Sequence, residues 1–338
     1  MAVLAGTAVL VAGAGVAGVP QSAALAGSAA ALNWTKQAPA TSPPVRDDAA
    51  MAYDAATQTV VLFGGESRAS RAFGDTWVWD GVTWTKLAPA ASPLARRGAS
   101  MAYDAATGTV VLFGGVGRSD RVLGDTWVWD GVTWTKQAPA TAPPPRADTS
   151  MAYDAATHTV VLFGGFDNGG RVHNGTWLWD GATWTRQAPA HSPPGGRRAA
   201  MAYDAARHNV VLFGIGLNST WVWDGVTWTR KVPATHPPAL GIASSAYDAA
   251  TSTVVLFGGT SSHGFENRTW TWDGVTWTKQ APATAPPARA FASMAYDAAT
   301  GTVVLFGGLL TPITLGDTWI WGYRPPGCIW NPLHGSSY

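Results

Sequence analysis

The chain has 338 residues, 46% of them hydrophobic and only 13% charged, and its formal net charge is +1. The hydrophobic content excludes a disordered chain, and the balanced charge argues against a nucleic-acid binder that relies on a basic surface. The single cysteine excludes an internal disulfide framework and a cysteine-rich zinc site.

The first 31 residues lie outside any repeat and are rich in Ala, Gly and Val, and no charged residue precedes Lys36. An apolar stretch followed by small residues, here Ala24-Leu25-Ala26, is typical of a secretory signal peptide. We therefore interpret residues 1–31 as a signal peptide or apolar leader and expect export to the extracellular space or the cell envelope. Beyond this leader, which could instead be an anchor, we expect no membrane span.

A motif close to MAYDAAT then occurs six times, and each copy continues into a VVLFG run and a TWxW run. The tyrosines of the motif lie at Tyr53, Tyr103, Tyr153, Tyr203, Tyr247 and Tyr296. This period of about 50 residues over six copies indicates a propeller or a solenoid.

The first copy predicts four short strands, at Met51-Ala52-Tyr53, Val60–Phe63, Trp77-Val78-Trp79 and Thr83-Trp84-Thr85. Asp80-Gly81 is a strong signal for a tight hairpin between the last two. The VVLF run does not alternate with polar residues, so both faces of its sheet should be covered. Blades packed around an axis cover both faces, and we expect the tryptophans to fill the space between blades.

The last copy stops at Thr318–Gly322 and lacks the TWTKQAP strand, which occurs instead near the N-terminus at Asn33–Pro39. We therefore predict an all-β, six-bladed propeller with four antiparallel strands per blade and a ring closed by the N-terminal strand. The propeller should cover residues 32–323 and should be monomeric. Residues 324–338 match no repeat and are assigned as a tail.

These motifs resemble the kelch family, within the galactose-oxidase-like group of propellers. The resemblance is carried by the double glycines Gly64-Gly65, Gly114-Gly115, Gly164-Gly165, Gly258-Gly259 and Gly307-Gly308, and by Trp84, Trp134, Trp184, Trp228 and Trp277. The chain departs from the family pattern in its TWxWDG segment and at Gly214-Ile215-Gly216. The resemblance implies a kelch-type fold and a protein or glycan ligand, since only some branches of the family are enzymes.

The six copies share nearly identical turns on one rim of the predicted propeller and differ in the loops of the other, which we call the variable rim. Most arginines fall in the variable loops, where guanidinium groups suit carboxylate or phosphate ligands. The candidate ligand-binding residues on this rim are Arg46, Asp48, Arg71, Arg97, Arg121, Asp148, Arg171, Arg198, Arg268 and Arg289.

Sequence motifs for catalysis are absent. The resemblance implies a copper site with a Tyr–Cys cross-link for galactose oxidases, but the one cysteine, Cys328, lies in the tail. We expect no cofactor, no metal and no catalytic residues, and we favour a secreted, non-catalytic binding scaffold for a protein or glycan. A carbohydrate-active or galactose-oxidase-like enzyme on the same fold is the alternative left open, with Asp48, Asp148 or Asp167 as possible carboxylates.

Overall fold

A computed structural model of the protein describes residues 31–215 and 218–323. The predicted leader, apart from residue 31, and the predicted tail lie outside the described residues. No helix in the described part of the chain is long and apolar enough to cross a membrane.

The structure is built from short strands, with one 3₁₀ turn at Arg118–Asp120 as the only helical element in the described ranges. The strands are β1 (Leu32–Lys36), β2 (Ala50–Asp54), β3 (Thr59–Phe63), β4 (Thr76–Trp79), β5 (Trp84–Leu87), β6 (Ser100–Asp104), β7 (Thr109–Phe113), β8 (Thr126–Trp129), β9 (Trp134–Lys136), β10 (Ala147–Asp154), β11 (Thr159–Phe166), β12 (Thr176–Trp179), β13 (Trp184–Arg186), β14 (Ala200–Asp204), β15 (Asn209–Ile215), β16 (Ser219–Trp223), β17 (Trp228–Lys231), β18 (Ser244–Asp248), β19 (Thr253–Phe257), β20 (Thr260–Ser261), β21 (Gly264–Phe265), β22 (Thr269–Trp272), β23 (Trp277–Lys279), β24 (Ser293–Asp297), β25 (Thr302–Leu310) and β26 (Ile313–Tyr323).

These strands form six antiparallel sheets of four strands, which confirms the predicted all-β, six-bladed propeller. Blades 1 to 4 are β2–β5, β6–β9, β10–β13 and β14–β17, and blade 5 is β18, β19, β22 and β23. Blade 6 combines β24, β25 and β26 with the N-terminal β1, while β20 and β21 form a small hairpin in a loop of blade 5. The first strand of each blade contacts the first strands of both neighbours, so these six strands surround the axis.

The N-terminal strand closes the ring as predicted. Strand β1 pairs antiparallel with β26, in a register that runs from Leu32 opposite Tyr323 to Lys36 opposite Trp319. The chain ends of the propeller are thereby joined by a backbone ladder, and β1 is the outer strand of blade 6 as the fourth strand is in the other blades.

The second strand of each blade is buried on both faces, as its unbroken VVLF run predicts. In blade 1, Val61 and Phe63 pack with Trp134 of blade 2, and Val60 packs with Phe306 of blade 6 on the opposite face. The hydrophobic core is therefore a set of layers between blades.

The tryptophan of each fourth strand ties its blade to the preceding blade. The indole N–H of Trp34 donates to Thr269 Oγ1 at 2.8 Å, and the same ring meets Phe257 edge-on with centroids 5.0 Å apart. The five equivalent indoles donate at 2.9 Å to the equivalent threonines: Trp84 to Thr318, Trp134 to Thr76, Trp184 to Thr126, Trp228 to Thr176 and Trp277 to Thr220. A buried donor and its acceptor are thus satisfied together at every blade interface.

The constant rim consists of turns held by aspartates. Asp54 Oδ1 accepts the backbone N–H of Ala56 at 2.9 Å, and Asp80 Oδ1 accepts those of Val82 and Thr83 at 2.9 and 2.8 Å. The recurring acids of this rim therefore serve turn geometry, as their positions in the sequence indicate.

Candidate functional site

Six residues, one from each blade, surround the axis at the variable rim. Five of them lie two positions before the first strand of their blade, and Asp148 lies within the start of β10. We call Asp48, Gly98, Asp148, Arg198, Ile242 and Phe291 the axial ring. Together with their neighbours they line one cavity at this rim, which we call the mouth, so the mouth is built from all six blades.

The backbone of the axial ring is held in the left-handed region. The φ angles of its five non-glycine members lie between 55° and 61°, and that of Gly98 is 59°. This conformation is strained, most of all for the β-branched Ile242. It is held by hydrogen bonds between adjacent members, among them Gly98 N–H to Asp48 O at 3.0 Å and Arg198 N–H to Asp148 O at 2.9 Å. Strain of this kind, about 1–3 kcal/mol for each residue, concentrates at binding and catalytic sites.

Arg198 links two acids of the ring across the axis. Its Nη2 donates to Asp48 Oδ2 at 2.8 Å, and its Nε donates to Asp148 Oδ2. The guanidinium also lies over the Phe291 ring, with its Cζ 4.3 Å from the ring centroid. A Cβ at position 98 would clash with Asp148 Oδ1, so glycine there makes room for this carboxylate.

A second group of charges, which we call the acidic flank, borders the ring. It consists of Asp47, Glu66 and Asp120 with one arginine, Arg97, whose guanidinium lies 3.1 Å from Glu66 and 3.0 Å from Asp120. Asp47 and Glu66 exchange backbone hydrogen bonds of 3.1 and 2.9 Å, which bring this loop of blade 1 beside the ring. The Asp120 side chain is 86% exposed and is open to a ligand.

Burial raises the pKa values of three acids at the mouth, Asp47, Asp48 and Glu66. It raises the pKa of Asp48 to about 7, although Arg198 opposes the shift. Burial and the nearby Glu66 raise the pKa of Asp47 to about 6, and burial raises that of Glu66 against the effect of Arg97. Asp47 and Asp48 therefore change charge close to neutral pH.

The cavity at the mouth has a volume of about 130 Å³. Sites that enclose a small-molecule ligand usually have roughly 300–1,000 Å³. The mouth is therefore large enough for the end of one inserted side chain and too small to enclose a whole sugar or cofactor.

The structure brings together four of the ten residues predicted for the site. Asp48, Asp148 and Arg198 belong to the axial ring, and Arg97 belongs to the acidic flank. All four are engaged in ion pairs, so their charges are partly balanced within the protein.

The other six predicted residues lie elsewhere on the variable rim. Arg46 and Arg289 are buried in ion pairs with Asp75 and Asp317, at 2.7 and 2.6 Å. Arg268 pairs with Glu266 at 3.2 Å. The remaining three, Arg71, Arg121 and Arg171, have exposed side chains on loops outside the cavity.

Sequence reasoning missed Gly98, Ile242 and Phe291 of the ring. It places Asp47, Glu66 and Asp120 in the variable loops but does not select them as site residues. A signal for the ring exists, because its members lie three residues before the first residue of each copy of the repeat motif. That position holds Asp, Gly, Asp, Arg, Ile and Phe in turn, whereas the two positions that follow it are nearly always Ala or Ser. In the described ranges, no three His, Cys, Asp or Glu side chains are grouped so that they could hold a metal ion.

Comparison with known proteins agrees with this geometry. The family model described as the KLHDC2/KLHL20/DRC7 Kelch-repeats domain matches residues 1–214. The solved structure of YjhT superposes with a TM-score of 0.63 at 16% sequence identity, over 83% of this chain and 95% of that one. At this identity the likeness concerns the fold alone. No curated protein matches the chain.

Proposed function

Because the chain belongs to the kelch-repeat family, we propose that it is an exported, non-catalytic binding propeller that holds a protein partner at the mouth of its variable rim. Kelch propellers mediate protein interactions. The partner should present a basic side chain, Lys or Arg, to the axial ring and the acidic flank.

The charge of the mouth supports a basic partner. Five carboxyl groups meet only two guanidinium groups there: Asp47, Asp48, Glu66, Asp120 and Asp148 against Arg97 and Arg198. Opposite charge across an interface steers association and disfavours wrong partners. The pKa values of Asp47 and Asp48 are raised to about 6 and about 7, so an inserted ammonium or guanidinium group would favour their ionised forms and offset the negative charge.

The size and rigidity of the mouth support a protein rather than an enclosed small molecule. A cavity of about 130 Å³ accepts one side-chain end, while the surrounding loops of six blades supply a broad surface. The backbone hydrogen bonds between ring members hold this surface in shape before binding. A preorganised site loses less conformational entropy on association.

The proposal is tested by selecting linear peptides from a random phage-displayed library on the immobilised propeller. We expect selected peptides to share a Lys or Arg. The double variant Asp48→Asn/Asp148→Asn should weaken their binding by about tenfold or more, because it replaces two buried carboxylates with neutral amides. Isothermal titration calorimetry measures the dissociation constants.

The matched control is Asp80→Asn, which removes one negative charge on the constant rim. Its Oδ1 accepts the two turn hydrogen bonds, and an asparagine oxygen accepts them equally. This variant should bind like the wild type. Selection of peptides without basic residues, or equal affinity in the double variant, would contradict the proposal, as would specific binding on a glycan array that depends on Asp48 and Asp148.

A further inference from the structure

One ion pair recurs at the variable-rim end of three blades. Arg46, Arg96 and Arg289 each hold an aspartate through both Nη atoms, at Nη1–Oδ1 distances of 2.7, 2.7 and 2.6 Å from Asp75, Asp125 and Asp317. Each aspartate also accepts the indole N–H of the tryptophan two residues later, at 2.7 to 2.8 Å. The carboxylate is thus bound by three donors in each of these blades.

Blade 3 keeps the arginine and the tryptophan but has glycine where the aspartate would be. Arg146 is 3% exposed, and its Nε and Nη1 each donate to a backbone oxygen at 3.1 Å, those of Pro144 and Gly164. Arg46 makes the same two bonds, at 3.1 and 2.9 Å. The two guanidinium groups therefore have the same orientation, and the edge that binds a carboxylate in blade 1 faces Gly175 in blade 3.

Two more donors surround the same place. A Cβ built on Gly175 would lie 3.3 Å from Trp177 Nε1 and 4.0 Å from Arg186 Nε. No carboxylate in the described part of the chain forms an ion pair with Arg146 or Arg186, although Asp167 lies near enough to act on the charge of Arg146. Burial and the positive charge of Arg186 lower the pKa of Arg146 to about 10, the direction expected for a buried cation that lacks an anion.

The position is also within reach of solvent. In the three complete ion pairs the arginine side chain is fully buried, while the aspartate is 14 to 18% exposed. A carboxylate that entered from outside would occupy the exposed half of such a pair. A buried guanidinium without a counter-charge is costly, so binding an anion there is favourable.

We propose that blade 3 contains a binding site for a small monocarboxylate, whose two oxygens take the place that the Asp75 carboxylate has in blade 1. The residues that would bind the carboxylate are Arg146, Trp177 and Arg186. Planar, two-oxygen anions match the guanidinium edge better than tetrahedral anions do. The site is separate from the mouth and does not depend on the proposed protein partner.

The full chain, in chloride buffer of constant ionic strength, is titrated with sodium acetate while its melting temperature is measured. We expect a saturable rise of a few degrees, because a ligand that binds only the folded state stabilises it. Gly175→Asp should raise the melting temperature without acetate and abolish the response to it. In the reverse experiment, Asp75→Gly should lower the melting temperature and enlarge the response, by creating a second site.

NMR spectroscopy gives an independent measurement. The chemical shift of the Trp177 indole N–H should change with acetate in the wild type and should not change in Arg146→Gln. The inference is overturned if acetate adds nothing to the effect of chloride, if Gly175→Asp still responds, or if sulfate acts as strongly as acetate.

Discussion

Some positions of the repeat keep the same structural role from copy to copy, whereas others differ in each copy. The aspartate that follows the Ala-Tyr pair of the motif accepts a turn N–H in five blades, whereas Asp204 of blade 4 accepts from Arg207 Nη1. The tryptophan of the fourth strand donates to a threonine in all six blades. The position three residues before the motif instead carries a different chemistry in nearly every copy, from Asp48 to Phe291. A frame that repeats its structural residues leaves this position free for recognition.

The buried acids of the mouth predict a pH dependence of stability. The pKa values of Asp47 and Asp48 are raised from 3.8 to about 6 and about 7. Between about pH 4 and pH 7 the folded protein therefore keeps protons that the unfolded chain has lost, so the free energy of unfolding should fall as pH rises through this range. Above about pH 8, where both carboxyl groups are ionised in the folded protein, their contribution should be constant.

Urea unfolding at several pH values measures this dependence. Asp48→Asn should reduce the fall, since its side chain does not titrate, and Asp80→Asn should leave it unchanged. Asp75, Asp125 and Asp317 do not mask the effect, because their pKa values are lowered and their contribution is lost only at pH values below about 4. A free energy of unfolding that rises from pH 4 to pH 7 would refute the assignment.

The blade is the unit that the sequence specifies most completely. Its four strands follow from the MAY, VVLF, TWxW and WT segments, and its turns follow from aspartate and glycine. The contacts between blades are harder to predict from the sequence. Those of blade 6 with blade 5 and of blade 1 with blade 6 join Trp34 to Thr269 and Trp84 to Thr318, residues more than 200 positions apart. Each interface between blades adds a hydrogen bond and a Trp–Phe contact to the apolar packing.

The closing strand β1 should contribute as much to the free energy of unfolding as the fourth strand of any other blade. Trp34→Phe removes the hydrogen bond to Thr269 and part of the buried ring system, and should cost about 1–3 kcal/mol. Trp34→Ala also leaves a large cavity and should cost roughly 3–5 kcal/mol. Chemical denaturation measures both values.

The matched control is Trp134→Ala in blade 2, where the same hydrogen bond and Trp–Phe contact exist. The two alanine variants should lose similar free energies of unfolding. If Trp34→Ala cost less than half as much as Trp134→Ala, the N-terminal strand would not be holding the ring closed.

Periodicity, turn chemistry and the missing strand of the last copy were enough to predict the blades, their number and the closure. The site was only partly predictable. The presence of an arginine in a variable loop does not show whether it is buried in an ion pair, as Arg46 is with Asp75, or borders the mouth, as Arg97 does. That difference depends on where the loops fold, and an ion pair across 29 positions has no local sequence signature.

The closed ring is what assembles the mouth. Asp48 and Arg198 are 150 residues apart in sequence, yet they form an ion pair of 2.8 Å because their blades face each other across the axis. No single blade contains the site, and each contributes one residue of the axial ring. The constant rim, by contrast, consists of the same turn repeated.

Hydrogen–deuterium exchange of the propeller with and without a selected basic peptide tests this account most directly. We predict that the peptide slows amide exchange in the segments around Asp48, Gly98, Asp148 and Arg198, and around Glu66 and Asp120 of the flank. The constant-rim turns that begin at Asp54, Asp104, Asp154 and Asp204 should exchange at an unchanged rate. Protection of these turns, with an unprotected mouth, would contradict the account.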